Sequence, residues 1–378
     1  MRTITVAVVL TALLAVDLLP AAQQKKKNKD KEEEPVTQVL ELPKDPPAVV
    51  TAETSRLVFH VSPLSAKGLL SQQAKDALKA LLRSVRGASI VKLRAFVAGT
   101  GDVRRVQTIV SEEFTEKRLP LPVVSVVQVG GLPLTGAQVV IESVAVAKKP
   151  LNPHGLAFIS GQAASADEPT TAVGPLVQKA SMDLRTAVKA AGMEPADVLR
   201  VTCFFTAFDD VYTIRARMAA EYPKAALNLV QTQRAPARAI AECEAVGRLR
   251  APPARPLAML NPDGLPRSEF YSQISLVGAP KVVFTGGQLA FGFTEEDARL
   301  AFERLGKTLS QAGASFDQLA MSSIYPLTNS IGALARKVRM EFYNRATPPP
   351  STMLPFEGLP SLDASFAVEV VAVSSDSQ

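Results

Sequence analysis

Through the middle of the chain, short apolar runs alternate with amphipathic stretches in a fixed order. Residues 156–162 form an apolar run closed by Ser160-Gly161-Gln162, which predicts a strand ending in a turn. Val177, Ala180, Leu184, Ala187, Val188 and Ala191 then recur at helical spacing, and Gly192 stands where a left-handed C-terminal cap is needed. Residues 199–207, rich in β-branched and aromatic side chains, predict a second strand. Asp209 and Asp210 open a second helical stretch that runs to Tyr222, aspartate being suited to a cap and first turn. Strands near 227–231 and 239–247 close the unit.

The same order is written on either side. Leu57-Val58-Phe59, a helical face of Leu70, Ala74, Leu78, Leu81 and Val85 ending at Gly87, and residues 93–97, 102–114 and 123–129 give one copy. Val282-Val283-Phe284, then Phe302, Leu305, Leu309 and Ala312 ending at Gly313, and a second helix over 329–343 give another. Each copy closes on a strand bearing a glutamate, at Glu142, Glu244 and Glu369. That period is domain-sized and too long for a solenoid. The pattern predicts α+β units over 36–149, 150–250 and 251–375. Extra hairpins precede the first and third, near 36–51 and 257–276, and the middle unit has no room for one.

Ahead of these units, Met1-Arg2, an apolar run over 4–19 and Pro20-Ala21-Ala22 have the layout of a secretory signal over residues 1–22, which predicts export to the periplasm or medium. Residues 23–35 carry lysines followed by acids with no apolar side chain, a solvated linker. The formal net charge of +6 is scattered and no basic stripe alternates with aromatics, so nucleic acid is not an expected partner. No later stretch is long and apolar enough to span a membrane. His60 and His154 are far apart in sequence with no ligand cluster around them, so no metal or other cofactor is expected. Cys203 and Cys243 read as two buried small hydrophobes, with a bridge possible but not indicated.

Phe158-Ile159-Ser160-Gly161-Gln162, its echo Gly287-Gln288, Tyr271-Ser272-Gln273, and the run from Val198 through Thr202, Phe204 and Thr206 to Asp209-Asp210 resemble strings of the RidA (YjgF, endoribonuclease L-PSP) family in their shared order. The resemblance covers nearly everything from Val36 to Val373. It implies three six-stranded mixed sheets, each with two helices (the middle one lacking its hairpin). A chain with three such units would form, alone, a pseudo-trimer with clefts between units, linkage supplying a high effective concentration. It also implies 2-iminobutanoate/2-iminopropanoate deaminase-like chemistry, in which an arginine on the fifth strand clamps the substrate carboxylate and a glutamate on the closing strand handles water and protons.

The arginine position falls on Val124, on Leu227 and on Ser351 or Pro350, so every copy has lost it. The glutamate position falls on Val140, Glu242 and Ala367, and the helix position that is usually asparagine falls on Gln107, Arg215 and Ala335. The candidate catalytic residues are therefore Glu242 and Tyr271. The candidate ligand-binding residues are Ser160, Gly161, Gln162, Arg215, Leu227, Gly287 and Gln288, with Arg215, Arg217 or Arg234 as possible replacements for the clamp. These point to a catalytically degenerate relative that binds a small metabolite or a partner, or else to a working deaminase built on Glu242 and a relocated arginine. Ribonuclease action is a weaker third reading, since a histidine pair and an aromatic-basic groove are both missing.

Overall fold

The computed structural model describes residues 42–99 and 103–375. The expected signal, the charged linker and the start of the first hairpin lie outside those residues. The first unit comprises β1 (Val49–Glu53), β2 (Leu57–Val61), α1 (Leu70–Ser84), β3 (Ser89–Ala98), α2 (Arg104–Glu116), β4 (Val123–Val129) and β5 (Val139–Val146). The second comprises β6 (Leu156–Ala166), α3 (Val173–Ala190), β7 (Val198–Phe205), α4 (Val211–Glu221), β8 (Ala226–Gln231) and β9 (Ala239–Arg248). The third comprises β10 (Leu257–Leu260), β11 (Ile274–Val277), β12 (Lys281–Thr285), β13 (Gln288–Phe291), α5 (Glu295–Gln311), β14 (Leu319–Pro326), α6 (Asn329–Arg339), β15 (Ser351–Met353) and β16 (Ala364–Val373).

In each unit a helix joins two parallel strands, β3 to β4, β7 to β8 and β14 to β15, and the closing strand lies antiparallel to the first of the pair. Parallel neighbours require such a crossover, and α2, α4 and α6 supply it. Gly192 takes φ of 70° just past α3, as its position demanded. Asp210 does not cap α4 with its side chain. It adopts a left-handed φ of 53° instead, so the turn rather than a capping bond starts this helix.

The hairpins are placed differently from the sequence expectation. β11 pairs antiparallel with β6, from Ile274 opposite Ile159 to Val277 opposite Leu156, so the hairpin written before the third unit completes the middle sheet. β1 pairs with β12, from Val49 opposite Thr285 to Glu53 opposite Lys281, so the first unit's strand completes the third sheet. The sheets thus run β10-β11-β6-β9-β7-β8, then β1-β12-β16-β14-β15 with β13 on β16, and β2-β5-β3-β4. The middle sheet has its hairpin after all, whereas the first sheet has four strands among the described residues. An open edge at β6 presents unpaired amides and carbonyls, and β11 satisfies them.

Each sheet carries its helices on one face over an apolar core. The opposite faces meet one another. One mixed cluster joins Phe59, Phe158 and Phe284, and a second joins Phe96, Phe204 and Tyr325, one residue per unit in each case. Phe96 and Phe204 rings lie 5.9 Å apart, and Phe356 stands 5.6 Å from Phe204 and 5.1 Å from Tyr325. A sheet covered on one side only must bury its second face, and three such faces do so mutually.

Between these apolar layers the three closing glutamates converge on Arg94. Its Nε donates to Glu142 (2.8 Å) and its Nη2 to Glu244 (2.6 Å). Its Nη1 reaches Tyr325 Oη (3.3 Å), whose hydroxyl donates to Glu369 (2.6 Å). Thr202 and Asn228 donate to Glu142, while Lys92 and Ser125 donate to Glu369. Burial works against ionised Glu369, yet Lys92 and Arg94 bring it down to about 2.

Candidate functional site

An open cleft of about 330 Å³ lies where the middle sheet meets α6 and β15, with Gly161, Glu242 and Tyr271 on one wall and Arg336, Arg339 and Ser351 on the other. Its first wall depends on a β-bulge. Ile159 pairs with Ala245 and Gln162 with Cys243, so Ser160 and Gly161 together face Glu244 alone. The carboxylate of Glu242 folds over residue 161 at a place only a glycine leaves vacant, its Oε1 being 1.7 Å from where a Cβ would stand.

Ser160 and Gln162 do not line the cleft. Gln162 Nε2 donates to Ser160 Oγ (3.0 Å) and Gln273 Oε1 (2.8 Å), and Ser160 Oγ donates to the same oxygen (3.1 Å). The backbone amide of Ser160 donates to Gln273 carbonyl (2.9 Å). This clasp fixes the hairpin two residues from Tyr271 and so sets the tyrosine beside the bulge.

Glu242 and Glu244 share a strand face but differ in company. Glu244 is bound by Arg94 and Arg200, whereas Glu242 has no ion pair among the described residues. Burial, with the charge of Glu244 added, pushes Glu242 up to about 8 against the opposing pull of Arg238. At neutral pH it is a carboxylic acid, able to donate. Burial and Glu242 likewise raise the Tyr271 phenol.

The opposite wall holds an arginine the sequence reading did not select. Arg339, on the last turn of α6, is 1% exposed. Its Nη1 donates to Ser351 Oγ (2.8 Å), its Nη2 to the Phe270 carbonyl (3.0 Å), and its Nε has no partner among the described residues. Burial brings it down to about 10. Ser351 is a position where the family resemblance expects the clamp, so a guanidinium from the helix stands beside the serine that occupies the strand site. The signal was present one turn beyond Ala335, since residues i and i+4 share a helix face.

The remaining candidates lie elsewhere. Leu227 pairs with Val201 and packs into the middle unit's own core. Arg215 is exposed on α4, and Arg234 donates to the Gly130 carbonyl (3.3 Å), so neither replaces the clamp in this cleft. Gly287 and Gln288 belong to a different boundary, where the Gly287 amide donates to the Val124 carbonyl (3.3 Å). Val140 and Ala367, at the other two glutamate positions, are buried in the apolar layer between the sheets. Cys203 and Cys243 face each other across β7 and β9 and form a disulfide, correcting the reading as two free thiols: a direct cross-strand pair brings their Cα atoms to 4.1 Å.

No group of three or more possible metal ligands occurs among the described residues, and no helix among them is long and apolar enough to cross a membrane. No family model and no curated protein matches the chain. Solved structures do match, each over a quarter to a third of it. A protein of the conserved Rid family, YyfB from Yersinia pestis, is 18% identical over 32% of this chain and 99% of its own, with a TM-score of 0.29. Rv2704 from Mycobacterium tuberculosis, a member of the YjgF/YER057c/UK114 family, is 23% identical over 31% and 98%, with a TM-score of 0.23. NMB1025 of the YjgF family, from Neisseria meningitidis, is 14% identical over 32% and 96%, with a TM-score of 0.24. The chain is similar to Rid and YjgF structures.

Proposed function

We propose that this is an exported protein, its three units packed as a one-chain counterpart of a trimer, that binds a small 2-oxo or 2-imino acid in the cleft between β9 and α6. One observation carries the reading. Arg339 is a buried guanidinium whose Nε is unpartnered among the described residues, seated beside Ser351 and across from an uncharged Glu242. A planar fork of donors suits a carboxylate, and an anion entering this cleft meets no opposing negative charge at neutral pH. Loss of the strand arginine in all three units, and of the glutamate in two, favours binding over turnover.

Glu242 at about 8 supports a second reading, imine hydrolysis. Water would add to the imine carbon, giving up a proton to Glu242 once that group is ionised. The acid so formed would return the proton to nitrogen, and the same group would carry the carbinolamine hydroxyl proton to the departing nitrogen as the C–N bond breaks, releasing ammonia and leaving the 2-oxo acid. Calorimetry with 2-oxobutyrate, beside an assay of ammonia release from imines generated in place by an amino-acid oxidase, separates the two. Binding that Ser351→Ala and Arg339→Lys weaken, without faster ammonia release, supports the binding reading. Acceleration abolished by Glu242→Gln establishes hydrolysis, and failure of 2-oxo acids to bind together with no acceleration removes both.

A further inference from the structure

The cleft carries more positive charge than one carboxylate needs. Besides Arg339 at its base, Arg336 stands on the same helix one turn earlier, its guanidinium 5.7 Å from the Phe270 ring centroid. Arg238 lies on the facing wall, immediately before β9 and close enough to Glu242 to act on its charge. Both are exposed, and neither forms a salt bridge among the described residues. Glu242 is the only acidic side chain on the cleft walls among the described residues. We propose that the ligand is a dicarboxylate, with one carboxylate on Arg339 and Ser351 at the base and the other between Arg336 and Arg238 at the mouth.

This rests on the reading of the cleft as a carboxylate site and names its ligand class. Arg336 and Arg339 are three positions apart on the helix, about 4.5 Å along the axis, which suits the two ends of a short diacid. The buried base gives orientation. The exposed mouth, where solvent screens charge, gives selection by charge count rather than by shape. Phe270 lies within cation–π distance of the Arg336 guanidinium, which limits the rotamer freedom lost on binding.

Isothermal titration of the full chain with 2-oxoglutarate and 2-oxopentanoate tests it, because these five-carbon acids differ only at the terminal carboxylate. The expected result is at least tenfold tighter binding of 2-oxoglutarate at low salt, about 1.4 kcal/mol, with the gap narrowing as sodium chloride is added. In the Arg238→Ala/Arg336→Ala double variant the two affinities should converge. Equal affinities in the unaltered protein, or a preference that survives in the double variant, overturn the dicarboxylate inference while leaving the carboxylate cleft intact. Absence of binding by either acid overturns both.

Discussion

Glu242 and Gly161 occupy one space between them: the glutamate Oε1 lies 1.7 Å from the point a Cβ on residue 161 would fill. Gly161→Ala should therefore expel the carboxylate from its place over the bulge. Because the displaced atoms belong to the end of a flexible side chain, the fold should survive with a loss of about 1–3 kcal/mol. Binding of 2-oxo acids should weaken at least tenfold. Thermal unfolding and calorimetry on the same sample read the two effects separately.

Protonation of Glu242 couples the cleft to pH. Its folded value of about 8 exceeds the ordinary 4.5, so between these values the folded chain keeps a proton that the unfolded chain has released. Stability of the unaltered protein relative to Glu242→Gln should fall as pH rises from about 4.5 to about 8 and level off above. Anion binding should weaken over the upper part of the same range, as the cleft acquires a negative charge. Urea titrations and calorimetry at stepped pH check both slopes.

Arg94 serves carboxylates from all three units. Arg94→Ala would leave Glu142 and Glu244 buried with only Arg200 beside them, a loss on the order of 3 kcal/mol. Arg94→Met and Arg200→Met together with Glu142→Gln and Glu244→Gln should recover much of that, because removal of both cations with both carboxylates spares the chain an uncompensated charge. Glu369, held at about 2, contributes stability above pH 4.5 that disappears as pH falls toward 2. Acid titration of Glu369→Gln should lack that component.

The Cys203–Cys243 disulfide closes a loop of sequence separation 40. By loop entropy it restricts the unfolded chain by about 3–4 kcal/mol. Dithiothreitol should lower the midpoint of urea unfolding in the unaltered protein and leave the Cys203→Ala/Cys243→Ala double variant unmoved. An identical midpoint with and without reductant in the unaltered protein would show the thiols free.

Periodicity found nearly every element, because a helix or strand with one buried face writes that face into its own sequence. β4, expected at 123–129, spans Val123–Val129. Sheet partners were not legible in the same way. β11 pairs with β6 rather than beginning the third unit's sheet, and nothing local to Ile274–Val277 distinguishes the two edges. In the cleft, Glu242 and Gly161 lie on β9 and β6 as their patterns expected, whereas Tyr271 lies in the loop just before β11 rather than on a hairpin strand. Arg339 was missed since its guanidinium reaches the strand site from a helix, and an alignment compares positions along the chain rather than points in space. The disulfide depended on the register of β7 against β9, which two cysteines in separate strands do not reveal.

The exchanged hairpin makes the copies inseparable. β10 and β11 complete the middle sheet, and β1 completes the third, so a break at the sequence boundary near Ala251 would strip one sheet of its outer strands and leave them attached to the other fragment. A gene encoding 150–250 alone would express a sheet lacking the two outer strands of one edge and one wall of the cleft at Glu242. The repeats can diverge in side chains, as they have around Glu242, but none can be deleted, shuffled or transplanted at the boundaries its own sequence suggests.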